Sequence, residues 1–519
     1  MKWWGWGDLA KETPLDPSFR DFLFEKIRAP RREPQRPVSP PDLPPANPEV
    51  ALSVEGVSSE ADRLAHAAGR GFPDLVRLRR PRLDHAPDAV CYPQDVDGIR
   101  RVLKAAERDG WAVIPFGGGT SVVGGVNPVA EGRRGVVTLD LTRLGRVLDV
   151  DRVSLTARIQ AGAFGPALER ILGSDGLEFG HYPQSFEFST LGGWIAARSA
   201  GQNSTGWGRI EDRVVALRVV TPVGEVVTRE VPASASGPEL RDALVGSEGT
   251  LGIVAEAVVR VRPRLERMRY RSILFKSFHE ALSSVRTLSQ RGPFPVVARL
   301  SDEPETEVLL KQSRADSKWA FKLLRLLGKG AYVRGGAHLL LGFEEQRDAS
   351  AAAWIARKGG GLDIGGSPGR HWEKSRFDLP YLRDTMMDYG LLVETLETAA
   401  GWSGIEALYF AVRSSLERVL PTPLVMCHVS HLYPDGASLY FTFICEALDR
   451  EIELWHAAKE AAAREILEHG GTISHHHGVG ADHRPWLEGE RGRLQVEMLR
   501  ALKRTLDPKG ILNPGKLIP

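Results

Sequence analysis

From about residue 85 the apolar positions fall into short runs separated by amphipathic stretches, the rhythm of a mixed strand-and-helix chain. "AVCYP" reads as a strand. "DVDGIRRVLKAAERDG" has helical spacing, opens on an acidic cap and stops at Gly110. "WAVIPF" is a buried strand running into the glycine loop "GGGTSVVGG". "GVVTLDL", "RVLDVD" and "SLTARIQAGA" are further strands, "DRVVALRVVTPVGEVVTRE" is a hairpin turning at Gly224, and "GIVAEAVVRVRP" ends the block at a proline. A second block opens with strand and helix in "RMRYRSILFKSFHEALSSVRTLSQRG" and holds the strong strand "ASLYFTFICEA". The helix "EIELWHAAKEAAAREILEHGG", stopped by its glycine pair, leads into the loop "SHHHGVG" and one more helix. At the start, "SFRDFLFEKI" predicts a short helix with Ser18 as its cap. A proline-dense, extended connector follows it, and Trp3, Trp4 and Trp6 are expected to pack onto the body. The fold class expected is α+β. Its parts are a helical and proline-rich segment 1–84, a cofactor domain 85–262, an α+β cap 263–455 and a helical segment 456–519 carrying the histidine loop.

Composition narrows the classes. A chain of 519 residues exceeds a single core. A net charge of +2 gives no reason to expect nucleic acid. Cys91, Cys427 and Cys445 stand far apart with no CxxC pairing, which fits a reducing compartment. No run of 18 apolar residues is present, and "MKWWGWGDLAKE" lacks the apolar core of a secretory signal, so the expected location is the cytoplasm.

The candidate chemistry begins at "PFGGGTSVVGG". Glycines after a strand let backbone amides close on phosphate oxygens. The loop lacks the Gly-Lys-Ser/Thr of a P-loop and the G-x-G-x-x-G spacing of a dinucleotide fold. Two more stretches accompany it, "SFEFSTLGGWIAARSAG" and "GSEGTLGIV". In that order and spacing the three resemble the FAD-binding (PCMH-like) domain of the vanillyl-alcohol oxidase superfamily. The resemblance implies FAD, with its pyrophosphate on Pro115, Phe116, Gly117, Gly118, Gly119, Thr120, Ser121 and Val122. It implies that the flavin and ribityl chain are wrapped by Gln184, Ser185, Phe186, Glu187, Phe188, Ser189, Thr190, Ala197, Arg198, Ser199 and Ala200. Glu248, Gly249, Thr250, Leu251, Gly252, Ile253 and Val254 complete that set. No His, Cys or Tyr lies between Gly110 and Pro128, so the flavin is expected to be non-covalent.

Within that superfamily the chain resembles the alkyldihydroxyacetonephosphate synthase family, from "MKWWGWGD" through "RIEDRVVALRVVTPVGEV" and "YLRDTMMDYGLLVETLET" to "YPDGASLYFTF" and "SHHHGVG". The resemblance implies exchange of the acyl chain of an acyl-dihydroxyacetone phosphate for a long-chain alcohol, with release of a fatty acid. The substrate carbon is held as an adduct on flavin N5, without net redox. The alternative is an FAD-dependent oxidoreductase acting on a 2-hydroxy acid such as lactate or glycolate. Those relatives carry a second histidine where this strand has Tyr440.

By carry-over Tyr440 handles a proton beside the flavin, its phenol expected to be acidified by a neighbouring cation, although alternation with Leu439 and Phe441 would equally let it face a core. His475, His476 and His477 carry over as an anion site or proton relay. Consecutive side chains point to opposite sides, and the loop holds no acid, so no metal is expected there. Arg383 carries over as a cation near the flavin, against a competing surface pairing with Asp384. Arg299 and His181 are the remaining carry-overs. "HVSHLYPDG" departs from the family's pattern, so His428 and His431 inherit no role. The basic and apolar stripes of 311–336 predict an interfacial helix, hence peripheral membrane contact. Family relatives imply a homodimer.

Overall fold

The computed structural model describes residues 2–312, 330–332 and 335–519. Most of the basic stretch 311–336 lies outside them. In chain order the first strands are β1 (Ala89–Cys91), β2 (Ala112–Phe116) and β3 (Val136–Asp140), which form a parallel sheet in the order β1-β3-β2. The helix Val96–Asp109 crosses between β1 and β2. Asp95 caps it by accepting from the Gly98 amide, and Gly110 ends it in the left-handed conformation, φ 80°. Next come β4 (Val147–Asp151), β5 (Thr156–Gln160), β6 (Leu177–Glu178), β7 (Val214–Thr221), β8 (Gly224–Val227), β9 (Ile253–Arg260) and β10 (Arg262–Pro263). Five of these make an antiparallel sheet, β4-β5-β9-β7-β8, and β10 pairs back on β6.

The second body is one antiparallel sheet of seven strands: β11 (Arg269–Phe275), β12 (Val297–Ser301), β13 (Ala337–Phe343), β14 (Leu362–Asp363), β15 (Leu391–Gly401), β16 (Leu424–Leu432) and β17 (Gly436–Glu446). Their order is β14-β11-β13-β12-β16-β17-β15. The sheet is buried on both faces, and period-two alternation divides its side chains. Leu439, Phe441, Phe443 and Cys445 of β17 join Val425, Cys427 and Val429 of β16 in a core covered by the helices Ile405–Val419 and Glu451–Glu468. Tyr440, Thr442 and Ile444 point the other way, into a cavity. Burying Phe441 and Phe443 completely contributes about 2–3 kcal/mol each.

Two distant segments complete these bodies. The first is the helix Pro17–Lys26, which packs Phe19, Phe22 and Leu23 against Val393, Met426 and Ile444. Its cap is Asp16, which accepts from the Ser18 and Phe19 amides, and not the expected Ser18. Pro17 supplies the first helical φ and so moves the cap two residues toward the N-terminus. Trp6 is buried against Phe188. The second segment is Ile511–Asn513, which returns to the first body. Leu512 bridges Val113, and the Asn513 amide group donates to the carbonyls of Gly125 (3.0 Å) and Glu248 (2.6 Å).

Candidate active site

A cavity of about 450 Å³ lies between the glycine loop and the seven-stranded sheet. Gly117–Val122 form one wall. Among the described residues, none of the six backbone N–H groups from 117 to 122 has a hydrogen-bond partner. A row of unpaired amides facing a cavity is an anion cradle. A Cβ on Gly118 would strike the Phe188 carbonyl, and Gly119 holds φ at 67°, so the path admits little but glycine. These features fit the pyrophosphate of FAD.

The sequence-based cofactor set divides in two. Pro115, Phe116, Thr120, Ser121, Gln184, Ser185, Ser189, Thr190, Ala197, Ser199, Ala200, Glu248, Gly249, Gly252, Ile253 and Val254 line the cavity alongside residues 117–119 and 122. Six others do not. Phe186 stacks on Trp194 and Phe377, Phe188 meets Trp6, and Leu251 is core. Thr250 donates to the Ser247 carbonyl, Arg198 pairs with Glu211, and Glu187 does not reach the cavity. Their side chains are engaged in packing and hydrogen bonds behind the wall, so they act as its scaffold. Pro183, Trp194, Gly201 and Gln202 line the cavity unanticipated.

The opposite wall is the sheet face, and it is graded. Val393, Met426 and Ile444 form its apolar end together with Val308 and Leu309 of the helix Glu303–Gln312. Tyr440 sits opposite both His428 and Glu397 in register, forming a polar row. Met426 lies one pleat, about 7 Å, from that row, and Val393 and Ile444 lie two, about 13 Å.

Glu397, buried in that row, organises the histidine loop. Its carboxylate accepts from the amides of His475, His476 (3.0 Å) and His477 (2.8 Å) and from the Ser474 hydroxyl (2.9 Å). The loop therefore coils around an anion and does not extend, which corrects the expectation that its side chains point apart. His475 Nδ1 meets His476 Nδ1 at 2.9 Å, and nitrogens of His431, His475 and His476 all fall within 4.8 Å of one another. His431 joins them because β16 carries a bulge: Val429 pairs with Leu439 but His431 with Ser438, so one extra residue turns the imidazole from core to cavity. The cluster is already knit by hydrogen bonds, His431 Nε2 to the Gly201 carbonyl (3.0 Å) and His475 Nε2 with the Tyr433 hydroxyl (2.6 Å). Burial, and then mutual repulsion, hold His475 and His476 well below the usual histidine range, so without an anion they are neutral. His476 and His477 face the cavity; His475 stands behind them.

Tyr440 lines the cavity and does not join the core. Its phenol is not acidified as the sequence suggested. Burial pushes it up to about 12, aided by the Glu397 and Glu394 carboxylates and opposed by the Thr395 hydrogen bond and Arg299. Arg383 faces the cavity and donates to the Arg70 carbonyl (3.0 Å). Asp384 turns away to accept from the Trp6 amide (2.6 Å), so the two do not pair. Arg299 also lines the cavity, bonded to Glu305 at 2.8 Å. His181 lies behind the wall, its Nε2 2.8 Å from Ser199 Oγ and its ring against Trp194, pushed down to about 3 by burial. Sequence reasoning missed Glu397 and Glu305. Glu248 was named only for the cofactor, yet its carboxylate also accepts from the Val479 (2.6 Å) and Gly480 (2.7 Å) amides.

Comparison with known proteins places this arrangement. The FAD binding domain family matches residues 87–229, and the C-terminal domain family of FAD linked oxidases matches 264–517. The alkyldihydroxyacetonephosphate synthase of Trypanosoma brucei brucei is 36% identical over 474 residues, 88% of this chain and 77% of the relative. The chain belongs to the alkyldihydroxyacetonephosphate synthase family. The Dictyostelium discoideum synthase is 32% identical and covers 100% of this chain and 93% of its own length. A solved alkyldihydroxyacetonephosphate synthase structure superposes with a TM-score of 0.83 at 29% identity, covering 99% of this chain and 98% of that one. The protein is thus a synthase-family flavoenzyme of vanillyl-alcohol-oxidase fold that uses FAD, and this family membership favours exchange over 2-hydroxy-acid oxidation.

Proposed function

We propose that the enzyme exchanges the acyl chain of an acyl-dihydroxyacetone phosphate for a long-chain fatty alcohol, with FAD held non-covalently. The observation that carries the reading is the graded sheet face: a polar row holding Tyr440 and His428, with His476 and His477 beside it, and Met426, Val393 and Ile444 one to two pleats away as an apolar end. A substrate with a phosphate head and a greasy tail needs both. When bound, FAD supplies a ring able to stabilise charge at the reacting carbon without net redox. Tyr440 serves the proton at C1: its phenol rests protonated, so it gives up its own proton before its oxygen takes the one from C1 and returns it. Arg383 offers a fixed positive charge to anionic groups in the cavity. His476 and His477, neutral when the cavity is empty of anions, gain protons beside a phosphate.

The test uses one preparation of flavin-loaded protein with palmitoyl-dihydroxyacetone phosphate and hexadecanol. Ether product by mass spectrometry without oxygen consumption is expected. No ether, with flavin bleaching on a 2-hydroxy acid, overturns the reading. The same reading includes a cytoplasmic enzyme peripheral to the inner membrane face, seated through the basic stretch 311–336, and a homodimer. Flotation with anionic vesicles and light scattering test these two points.

A further inference from the structure

The family pattern assigns nothing to His428, yet it occupies the boundary between the polar and apolar levels of the cavity. It is 6% exposed and lies parallel to the Tyr440 ring, centroids 4.9 Å apart and planes at 23°. Its Nδ1 meets Glu305 Oε1 at 3.0 Å, and Arg299 Nη2 donates to that same oxygen at 2.8 Å. Glu305 Oε2 is buried without a partner among the described residues. With Nδ1–H donated to the carboxylate, Nε2 carries the lone pair. Among the described residues Nε2 has no hydrogen-bond partner, and His428 lines the cavity.

We propose that His428, oriented by Glu305, is the base that takes the hydroxyl proton of the incoming fatty alcohol. The inference rests on the exchange reading above. Burial alone would raise the Glu305 carboxyl, but Arg299 and His428 hold it well below the usual range, so it is an anion. Burial and Arg299 lower the imidazole, which keeps it neutral and able to accept. Position completes the case. Met426 lies one pleat below His428, and Val308 lies one helical turn beyond Glu305, so an alkyl chain on the apolar end brings its hydroxyl to the level of the imidazole. In the step, the alcohol O–H breaks and its proton goes to His428 Nε2, while the oxygen pair forms the new bond to C1. The pair of the old C1–O bond leaves with the carboxylate. The proton then passes from His428 to that carboxylate, releasing the fatty acid. Tyr440 serves the C1 proton, so the two stacked rings divide the work.

The test compares the flavin-loaded wild type with His428→Gln and Glu305→Gln. Two rates are measured on palmitoyl-dihydroxyacetone phosphate: hydrogen exchange at C1 with deuterated water, and ether formation with hexadecanol. A general base contributes about 10²–10⁴-fold. The ratio of ether formation to C1 exchange is therefore expected to fall about 100-fold in His428→Gln, and by less in Glu305→Gln. A long-chain alcohol made more acidic by fluorines beside its hydroxyl needs less help, so it should recover much of the loss, which a structural defect would not allow. An unchanged ratio, or equal loss for both alcohols, overturns the assignment while leaving the exchange reading intact. No ether from the wild type overturns both.

Discussion

Glu397→Gln tests the organisation of the site most directly. The carboxylate holds three consecutive amides and the Ser474 hydroxyl, four bonds in all. The amide side chain keeps one acceptor oxygen, loses the charge on the bonds that oxygen makes, and turns an NH2 toward the His475 N–H. Charge-assisted bonds exceed neutral ones by about 1 kcal/mol each, and an unpaired buried N–H costs about 1–3 kcal/mol. Relief from burying a charge offsets part of this, leaving a net loss of about 3 kcal/mol. At about 2 °C per kcal/mol, the melting temperature falls by about 6 °C. Burial pushes the Glu397 carboxyl up, but His477, His475 and the loop amides pull it further down, below its ordinary 4.5. A folded value below the unfolded one means the stabilisation is present above pH 4.5 and is lost as the pH falls below it. The glutamine variant has no such titration, so its gap from the wild type should narrow in acid. Thermal melts from pH 7 down to pH 3, with ether formation measured in parallel at neutral pH, make the assay. A variant melting within about 1 °C of the wild type at pH 7 with unimpaired turnover would falsify this account of the loop.

Two further outcomes follow from the same geometry. Tyr440→Phe is expected to lower ether formation by about 10²–10⁴-fold while flavin content, read from the visible spectrum, stays at the wild-type level; near-normal turnover would remove Tyr440 from the chemistry. Gly118→Ala drives a methyl into the Phe188 carbonyl, an overpacking that costs about 1–3 kcal/mol and should leave the purified protein depleted of FAD. Full flavin occupancy in that variant would mean that the loop yields and does not cradle.

What could be read from the chain was local. The glycine path, the hairpin at Gly224 and the helix stopped at Gly110 are properties of a few adjacent residues, and the structure has them where the pattern put them. The face occupied by Tyr440 was not legible, because β17 is buried on both sides and alternation alone leaves two choices. The acids were less legible still. Glu397 lies 78 residues from His475 and Glu305 lies 123 from His428, so no spacing rule links them. The turn of His431 into the cavity depends on one extra residue in β16, a register event that period-two reasoning reads with the wrong sign.

The brace from Asn513 to the Gly125 carbonyl spans 388 residues. On the ribosome the glycine loop emerges long before the residue that fixes its far side. At about 5–20 residues per second the wait is roughly 20–80 s. During that interval the cofactor wall is a half-built shell, and FAD entering it meets amides not yet held in place. Flavin capture should therefore wait for Asn513 to fold back, and starving growing cells of riboflavin should leave a pool of folded chains that can still be loaded afterwards.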